Sequence, residues 1–307
     1  MKVLIVGLGS IGRKHVDALK ALVPRIEIIA LRSNENCKNL QGVRNIYSYK
    51  GVDKNSIDFA IVSNPTANHE ETLRILTKFG IPLFIEKPLS LSFHIKDLIE
   101  EIDHRNLFTY VACNLRFLDC LKFIKESLSG ELINQINEVN VYCGSYLPAW
   151  RPNMDYRKSY SSSTELGGGV HLDLIHELDY IYWLFDKPSE IIRKLRKQSA
   201  LKISSYDYAY YGLDYEGFSA NIVLNYYRRD SKRTLEILFE NETWLVDLLK
   251  NQVSKNDEVI FSSKQTILET YKSQMQYFLK SFKARKLSVN SAMDAFEVLK
   301  ICMENDT

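Results

Sequence analysis

Residues 1–22 read MKVLIVGLGSIGRKHVDALKAL, and the fold is decided there. Lys2 to Val6 is a short apolar run rich in β-branched residues; Gly7, Gly9 and Gly12 follow at the G-x-G-x-x-G spacing, and an amphipathic helix ends before Pro24. Strand, tight turn and helix are expected in that order. The first glycine permits the turn, the second lets the backbone approach a pyrophosphate, and the third lets helix and strand pack closely. Ser10 and Ile11 lie in the first helical turn, so their stretch faces a phosphate at a positive helix end. A second apolar strand, Ile26 to Leu31, completes a βαβ unit, which makes a dinucleotide the expected ligand.

At the end of that second strand, twenty positions past Gly12, an acidic residue would bind the ribose 2′-hydroxyl of NAD. This chain carries Arg32 and then Ser33. A guanidinium and a hydroxyl suit a 2′-phosphate, which favours NADP over NAD; a solvated loop is the other reading of the pair.

A chain of 307 residues exceeds what one compact core usually organises, so two domains are expected. Hydrophobic content of 45% is ample for globular cores, and a net charge of +2 gives no case for nucleic acid or an anionic membrane surface. The five cysteines, Cys37, Cys113, Cys120, Cys143 and Cys302, form no C-x-x-C pair, which argues against a disulfide framework and against a metal site. With neither an export signal nor a long apolar run in view, a cytoplasmic protein is expected.

Strand and helix patterns then alternate. Asn45 to Tyr49 is a weak strand candidate; Ile57 to Ser63 is a continuous apolar run suited to a strand buried on both faces, broken by Asn64-Pro65-Thr66 before a helix from His69 to Phe79. Asn68 is placed to cap that helix, with Glu71 as its reciprocal partner. Gly80 stops it; Leu83 to Ile85, Ser92 to Asp103 and Phe108 to Cys113 then read as strand, helix and strand. The expectation is an α/β chain whose N-terminal domain, residues 1–117, is a doubly wound parallel sheet. Ligands of such sheets lie outside the carboxyl ends of the strands, which singles out Asn64, Pro65 and His69, then Glu86-Lys87-Pro88, then Asn114 and Arg116. Each also has a structural reading as strand terminator, surface cation or helix residue.

From Phe117 the pattern changes. A helix runs to Leu128 and stops at Gly130; Glu138 to Tyr146, Tyr206 to Asp214, Phe218 to Tyr227, Thr234 to Phe239, Thr243 to Leu249 and Glu258 to Ser262 read as strands. Two helices, Ile267 to Phe282 and Ser291 to Glu304, close the chain. Residues 118–307 are therefore expected to form a substrate-binding and oligomerisation domain, an open, mostly antiparallel sheet with one face covered and the other free to bury a partner subunit. Within it, Trp150, Arg151, Tyr156, Arg157 and Tyr160 are equipped to stack on a sugar ring and meet an anionic group. Three glycines, Gly167 to Gly169, precede Asp173 and His176, whose spacing on a helix would put both on one face, with the imidazole titrating near neutrality. Ordinary helix polar residues are the competing reading.

In combination, Gly7-x-Gly9-x-x-Gly12, Asn64-Pro65 before His69, Glu86-Lys87-Pro88, Asn114-x-Arg116-Phe117, and the triple glycine followed by Asp173 and His176 resemble the Gfo/Idh/MocA family over nearly the whole chain. The resemblance implies a Rossmann domain followed by an α/β domain whose sheet mediates homodimers or homotetramers. It implies that Lys87 lies near the nicotinamide and the reacting hydroxyl, and that Asp173 and His176 close the pocket, His176 as acid/base. Whether Lys87 or His176 takes the proton stays open. Many members place the histidine four residues after the aspartate, and many run further past the last helix than Thr307, which would alter the subunit contact. The stretch Trp150 to Asp179 looks similar to the subgroup among bacterial surface-polysaccharide enzymes.

The expected activity is NAD(P)-dependent hydride transfer between nicotinamide and a hydroxyl or keto carbon of a sugar, nucleotide sugar or related polyol. Gly7, Gly9, Ser10, Ile11, Gly12, Arg32, Ser33, Asn64, Pro65, His69, Glu86, Lys87 and Asn114 would serve the cofactor. Arg116, Trp150, Arg151, Tyr156, Arg157, Asp173 and His176 would serve the substrate. Two other readings are a hydrolase that oxidises its sugar transiently with a held NAD, and a non-catalytic NAD(P)-binding sensor.

Overall fold

A computed structural model of the chain describes residues 1–128, 130–286 and 289–303. Met1–Asn114 with Leu268–Leu299 form one compact unit, and Leu115–Ile267 with the residues from Lys300 form a second.

In the first unit β1 (Lys2–Val6), α1 (Ser10–Leu22), β2 (Glu27–Leu31), β3 (Val43–Ile46), β4 (Phe59–Val62), α2 (His69–Phe79), β5 (Leu83–Glu86), α3 (Lys96–His104) and β6 (Thr109–Ala112) alternate along the chain. The strands make one parallel sheet in the order β3-β2-β1-β4-β5-β6. The order reverses between β1 and β4, and there the glycine turn leaves β1. Strands β4, β5 and β6 are buried at every position, which is why they read as unbroken apolar runs. Helix α2 ends as expected on Gly80, in the left-handed region at φ 69°. Its start differs. A 3-10 turn at Thr66–Asn68 leads straight into the helix, and Asn68, at φ −102° and ψ 1°, makes no side-chain cap bond. The extended backbone that aims a cap side chain at the first turn is absent at Asn68.

The second unit holds α4 (Asp119–Ser127), β7 (Ile136–Gly144), α5 (Val170–Asp173), α6 (His176–Phe185), β8 (Glu190–Arg196), β9 (Tyr208–Asp214), β10 (Ser219–Asn225), β11 (Lys232–Phe239), β12 (Thr243–Asp247), β13 (Gln252–Lys255) and β14 (Glu258–Ser262). Its sheet runs β14-β13-β12-β11-β7-β10-β9-β8, antiparallel except between β7 and β10. Alternation divides the residues by face. Val139, Val141, Leu235, Ile237, Ala220, Ile222, Tyr211 and Leu213 are buried, whereas Asn140, Tyr142, Tyr210, Val223 and Glu236 between them are half-exposed. Strands β8 and β13 were not expected: EIIRKLR at the sheet edge and the short QVSK carry too few apolar residues to announce themselves.

The closing helices α7 (Ile267–Lys283) and α8 (Ala292–Cys302) begin after this sheet, yet Leu268–Leu299 belongs to the first unit and not to the domain its sequence position suggests. Phe278 of α7 explains it. Its ring lies 4.9 Å from Phe59, 5.1 Å from Phe84, 5.8 Å from Phe108 and 6.0 Å from Tyr110. Each aromatic pair adds about 0.5–1.5 kcal/mol beyond the area it buries. The Asn290 side chain donates to the Val111 carbonyl at 2.7 Å and the Ala292 N–H to Thr109 Oγ1 at 3.0 Å, which fixes the entry to α8. The expected end of that helix, Glu304, lies outside the described residues.

Candidate functional site

The glycine turn is built as its spacing demands. Gly7 has φ +87°, and a Cβ there would stand 2.5 Å from the Asn64 backbone; a Cβ on Gly12 would stand 2.5 Å from the Gly7 carbonyl oxygen. Both glycines are required by the chain itself. Gly9 differs, since a Cβ there would meet nothing within 4 Å. Gly9 opens α1, no side chain caps that end and no acidic residue sits in its first turn, so the first-turn N–H groups, those of Ser10 and Ile11 among them, carry the uncompensated positive end of the helix. Free backbone donors beside an unfilled Cβ position fit a pyrophosphate. Ser63 Oγ donates to the Gly7 carbonyl at 2.7 Å and locks the turn to the end of β4.

Arg32 is buried to 8% exposure at the end of β2, where its Nη1 donates to the Lys38 carbonyl and to Asn45 Oδ1, both at 3.4 Å. Those are long bonds to neutral acceptors, and among the described residues no carboxylate pairs with the guanidinium. Ser33 beside it is exposed.

His69 proves to be a tie within the fold. Its Nδ1 stands 3.1 Å from the Pro88 carbonyl and 3.3 Å from that of Leu89, and its Nε2 stands 3.1 Å from the Asn64 carbonyl. The ring thus joins the Asn64-Pro65 turn to the segment after Lys87, and burial holds its pKa below the usual histidine range, against the pull of these carbonyls and of Glu86. Asn64 Nδ2 donates to Thr72 at 2.9 Å, and Asn114 Nδ2 to Thr270 at 2.7 Å. Lys87 is half-buried just past β5, and Pro65 is exposed.

In the second unit the three glycines serve packing first. A Cβ on Gly168 would stand 2.0 Å from the Tyr160 carbonyl, and one on Gly169, at φ +141°, would stand 2.6 Å from the His171 ring. Asp173 and His176 do not share one helix as the spacing suggested. Asp173 ends α5, Leu174 and Ile175 interrupt the helical run, and His176 opens α6, so the common-face argument does not hold. Asp173 is instead fixed from two sides: Tyr160 donates to Oδ1 at 2.6 Å and Tyr226 to Oδ2 at 2.5 Å. Burial first, and the carboxylate second, push both phenols above the usual tyrosine range, so both remain donors. Trp150 meets Tyr226 edge-on at 5.4 Å and donates to Ser145 at 2.8 Å, while its ring stays partly exposed. Asp173, Tyr160, Tyr226 and Trp150 form a polar and aromatic cluster in which Trp150 and Tyr160 reach solvent while Asp173 and Tyr226 are buried.

Arg116 is placed elsewhere. It is buried and forked onto Asp179, Nε to Oδ2 at 2.8 Å and Nη2 to Oδ1 at 2.7 Å, which ties its turn to α6 rather than leaving the guanidinium open to a ligand. Tyr156 donates to the Leu201 carbonyl at 3.0 Å and carries the Arg157 guanidinium over its ring at 5.3 Å; Arg151 and Arg157 are exposed. Tyr226 and His15 were missed by sequence reading. Tyr226 sits in a strand pattern and His15 on the apolar side of α1, where each passes for core.

Burial brings His171 down to about 4, against the pull of Asp173. A base whose folded pKa lies below its unfolded value binds more protons when unfolded, so stability should fall as pH drops from about 6.5 towards 4, by up to about 3 kcal/mol from this one group. His69 acts in the same direction. Urea midpoints measured across that window should show the slope, and His171→Leu should flatten part of it; an identical slope in the variant would contradict the assignment.

Comparison with known proteins follows the same division. Residues 1–112 match the model of the oxidoreductase family with NAD-binding Rossmann fold, and residues 122–244 match the GFO/IDH/MocA C-terminal domain. Myo-inositol 2-dehydrogenase of Thermotoga maritima is 26% identical over 198 residues, 62% of this chain and 56% of that protein. The chain therefore spans a little over half the length of the curated relatives it matches. Among solved structures, UDP-N-acetylglucosamine 3-dehydrogenase of Acidithiobacillus ferrooxidans superposes with TM-score 0.79 at 18% identity, covering 99% of this chain and 96% of that one. A levoglucosan dehydrogenase in complex with NADH and levoglucosan gives TM-score 0.85 at 16% identity, covering 98% and 95%. At those identities the likeness concerns the fold.

Proposed function

Because the chain belongs to the GFO/IDH/MocA oxidoreductase family, we propose that it is an NAD(P)-dependent enzyme acting on a hydroxyl or keto carbon of a sugar, nucleotide sugar or related polyol. The observation that carries the reading is Gly9, a glycine the fold leaves free beside uncapped helix N–H groups. The nicotinamide, when bound, supplies the hydride acceptor or donor. Lys87, at the carboxyl end of β5, stabilises the developing alkoxide by a charge-assisted hydrogen bond, and His176 takes the hydroxyl proton. Asp173, immobilised by Tyr160 and Tyr226, holds sugar hydroxyls rather than moving protons. Trp150 offers the ring face, and Arg151 and Arg157 meet a carboxylate or phosphate.

Incubation with oxidised cofactor and a panel of nucleotide sugars and polyols tests this reading by mass spectrometry of the products. A keto sugar formed with equimolar reduced cofactor supports it; glycosidic cleavage without net reduction would replace it with the transient-oxidation hydrolase, and no turnover of any substrate with the sensor.

For the cofactor, a buried guanidinium whose acceptors among the described residues are the neutral Lys38 carbonyl and Asn45 amide is suited to a 2′-phosphate, which favours NADP. Arg32→Ala should weaken NADP binding about tenfold or more and NAD binding by less than about twofold. Equal losses in calorimetric titration would remove Arg32 from that role. The half-exposed face of the eight-stranded sheet, with Tyr142, Tyr210, Val223 and Leu238, is suited to a second copy of the chain, as a homodimer or within a homotetramer. Among the described residues no cysteine is in a disulfide. Among the described residues no helix is long and apolar enough to cross a membrane.

A further inference from the structure

Helix α1 and strand β5 meet in a buried pair that the glycine turn does not require. His15 is fully buried, and its Nε2 stands 2.5 Å from Oε1 of Glu86. Phe84 and Tyr271 hold the imidazole edge-on, with centroids at 4.9 and 6.4 Å, and its Nδ1 has no hydrogen-bond partner among the described residues. Both members occupy informative places. His15 lies one helical turn past Gly12, on the helix whose first turn faces the phosphate opening, and Glu86 is the last residue of β5, directly before Lys87. Glu86 is itself buried to 8% exposure, so its carboxylate acts with little screening by solvent. For packing alone an apolar pair of similar volume would serve as well or better.

We propose that Glu86, aimed by His15, sets the relative affinity of the chain for oxidised and reduced nicotinamide. The inference rests on the reading of the first unit as an NAD(P) site. The oxidised ring carries a positive charge that reduction removes. A buried carboxylate at the carboxyl end of the sheet, where nucleotide ligands lie, attracts the first form and is indifferent to the second. His15 touches neither cofactor nor substrate; it is a positioning residue that fixes one carboxylate oxygen and so the direction of the other.

The test is calorimetric titration of the full chain with NADP⁺ and NADPH. Glu86→Gln keeps the shape and removes the charge, and should lower the oxidised-over-reduced affinity ratio about tenfold while the affinity for NADPH changes less than about twofold. His15→Leu should move the ratio the same way by a smaller factor, and His15→Gln, which keeps an N–H donor, should restore part of it. A purely structural pair would weaken both forms equally. An unchanged ratio in Glu86→Gln, or in His15→Leu should the former fail to fold, overturns this inference alone. If the parent chain binds neither form, the dinucleotide reading falls and the inference with it.

Discussion

Gly9→Val is expected to abolish dinucleotide binding, with an affinity loss of at least about a thousandfold, and to leave the unfolding free energy within about 1 kcal/mol of the parent. Few substitutions separate binding from stability so cleanly. At Gly7 and Gly12 an added Cβ would strike backbone at 2.5 Å, so variants there damage the fold and their loss of binding would be uninformative. At Gly9 the added side chain meets no protein atom within 4 Å, and the backbone, at φ −74°, is open to any residue. The remaining cost is that of a poorer residue at the helix start, which is small. The valine methyls would occupy the space that a pyrophosphate needs in order to reach the first-turn N–H groups. Calorimetric titration with NADPH beside a urea unfolding curve checks both halves. Retained binding would mean that the phosphates are held elsewhere.

Lys87→Ala is expected to cut turnover by about 10³ while cofactor affinity stays within about threefold. The lysine follows β5 and is half-buried; it is the one residue of Glu86-Lys87-Pro88 proposed here to stabilise charge that develops only as the hydroxyl is oxidised. Removing an interaction made in the transition state lowers kcat and kcat/KM together and spares ground-state binding. Steady-state kinetics with the accepted substrate, read against the titration, separates these. Normal turnover would take Lys87 out of the mechanism, and a rise in KM alone would recast it as a substrate anchor.

The parallel half of the fold was legible because its signals are local. Apolar runs, a glycine turn and Gly80 each act within a few residues and are found where the sequence puts them, whereas β3, expected weakly at Asn45 to Tyr49, lies at Val43–Ile46. What escaped depends on distant partners. Nothing near Phe278 announces that its ring closes on Phe59 and Phe84, so the membership of α7 follows the packing and not the order of the chain. The edge strand β8 carries four charges in seven residues, Glu190, Arg193, Lys194 and Arg196, and takes its identity from β9 alongside. The same limit applies to the site. Asp173 was singled out by its motif, but the break between α5 and α6 and the phenol of Tyr226 that fixes its carboxylate were not legible there. Arg116 carried a motif position and turned out to serve Asp179, and His15 looked like core until Glu86 was set beside it.

The central claim is that the turn at Gly7, Gly9 and Gly12 holds a nicotinamide dinucleotide, and the direct measurement is calorimetric titration of the purified, cofactor-stripped chain with NADP⁺, NADPH, NAD⁺ and NADH. Saturable one-to-one binding, tighter for the NADP pair, is the predicted result. Absence of heat and of saturation with all four would contradict it, and with it the oxidoreductase reading.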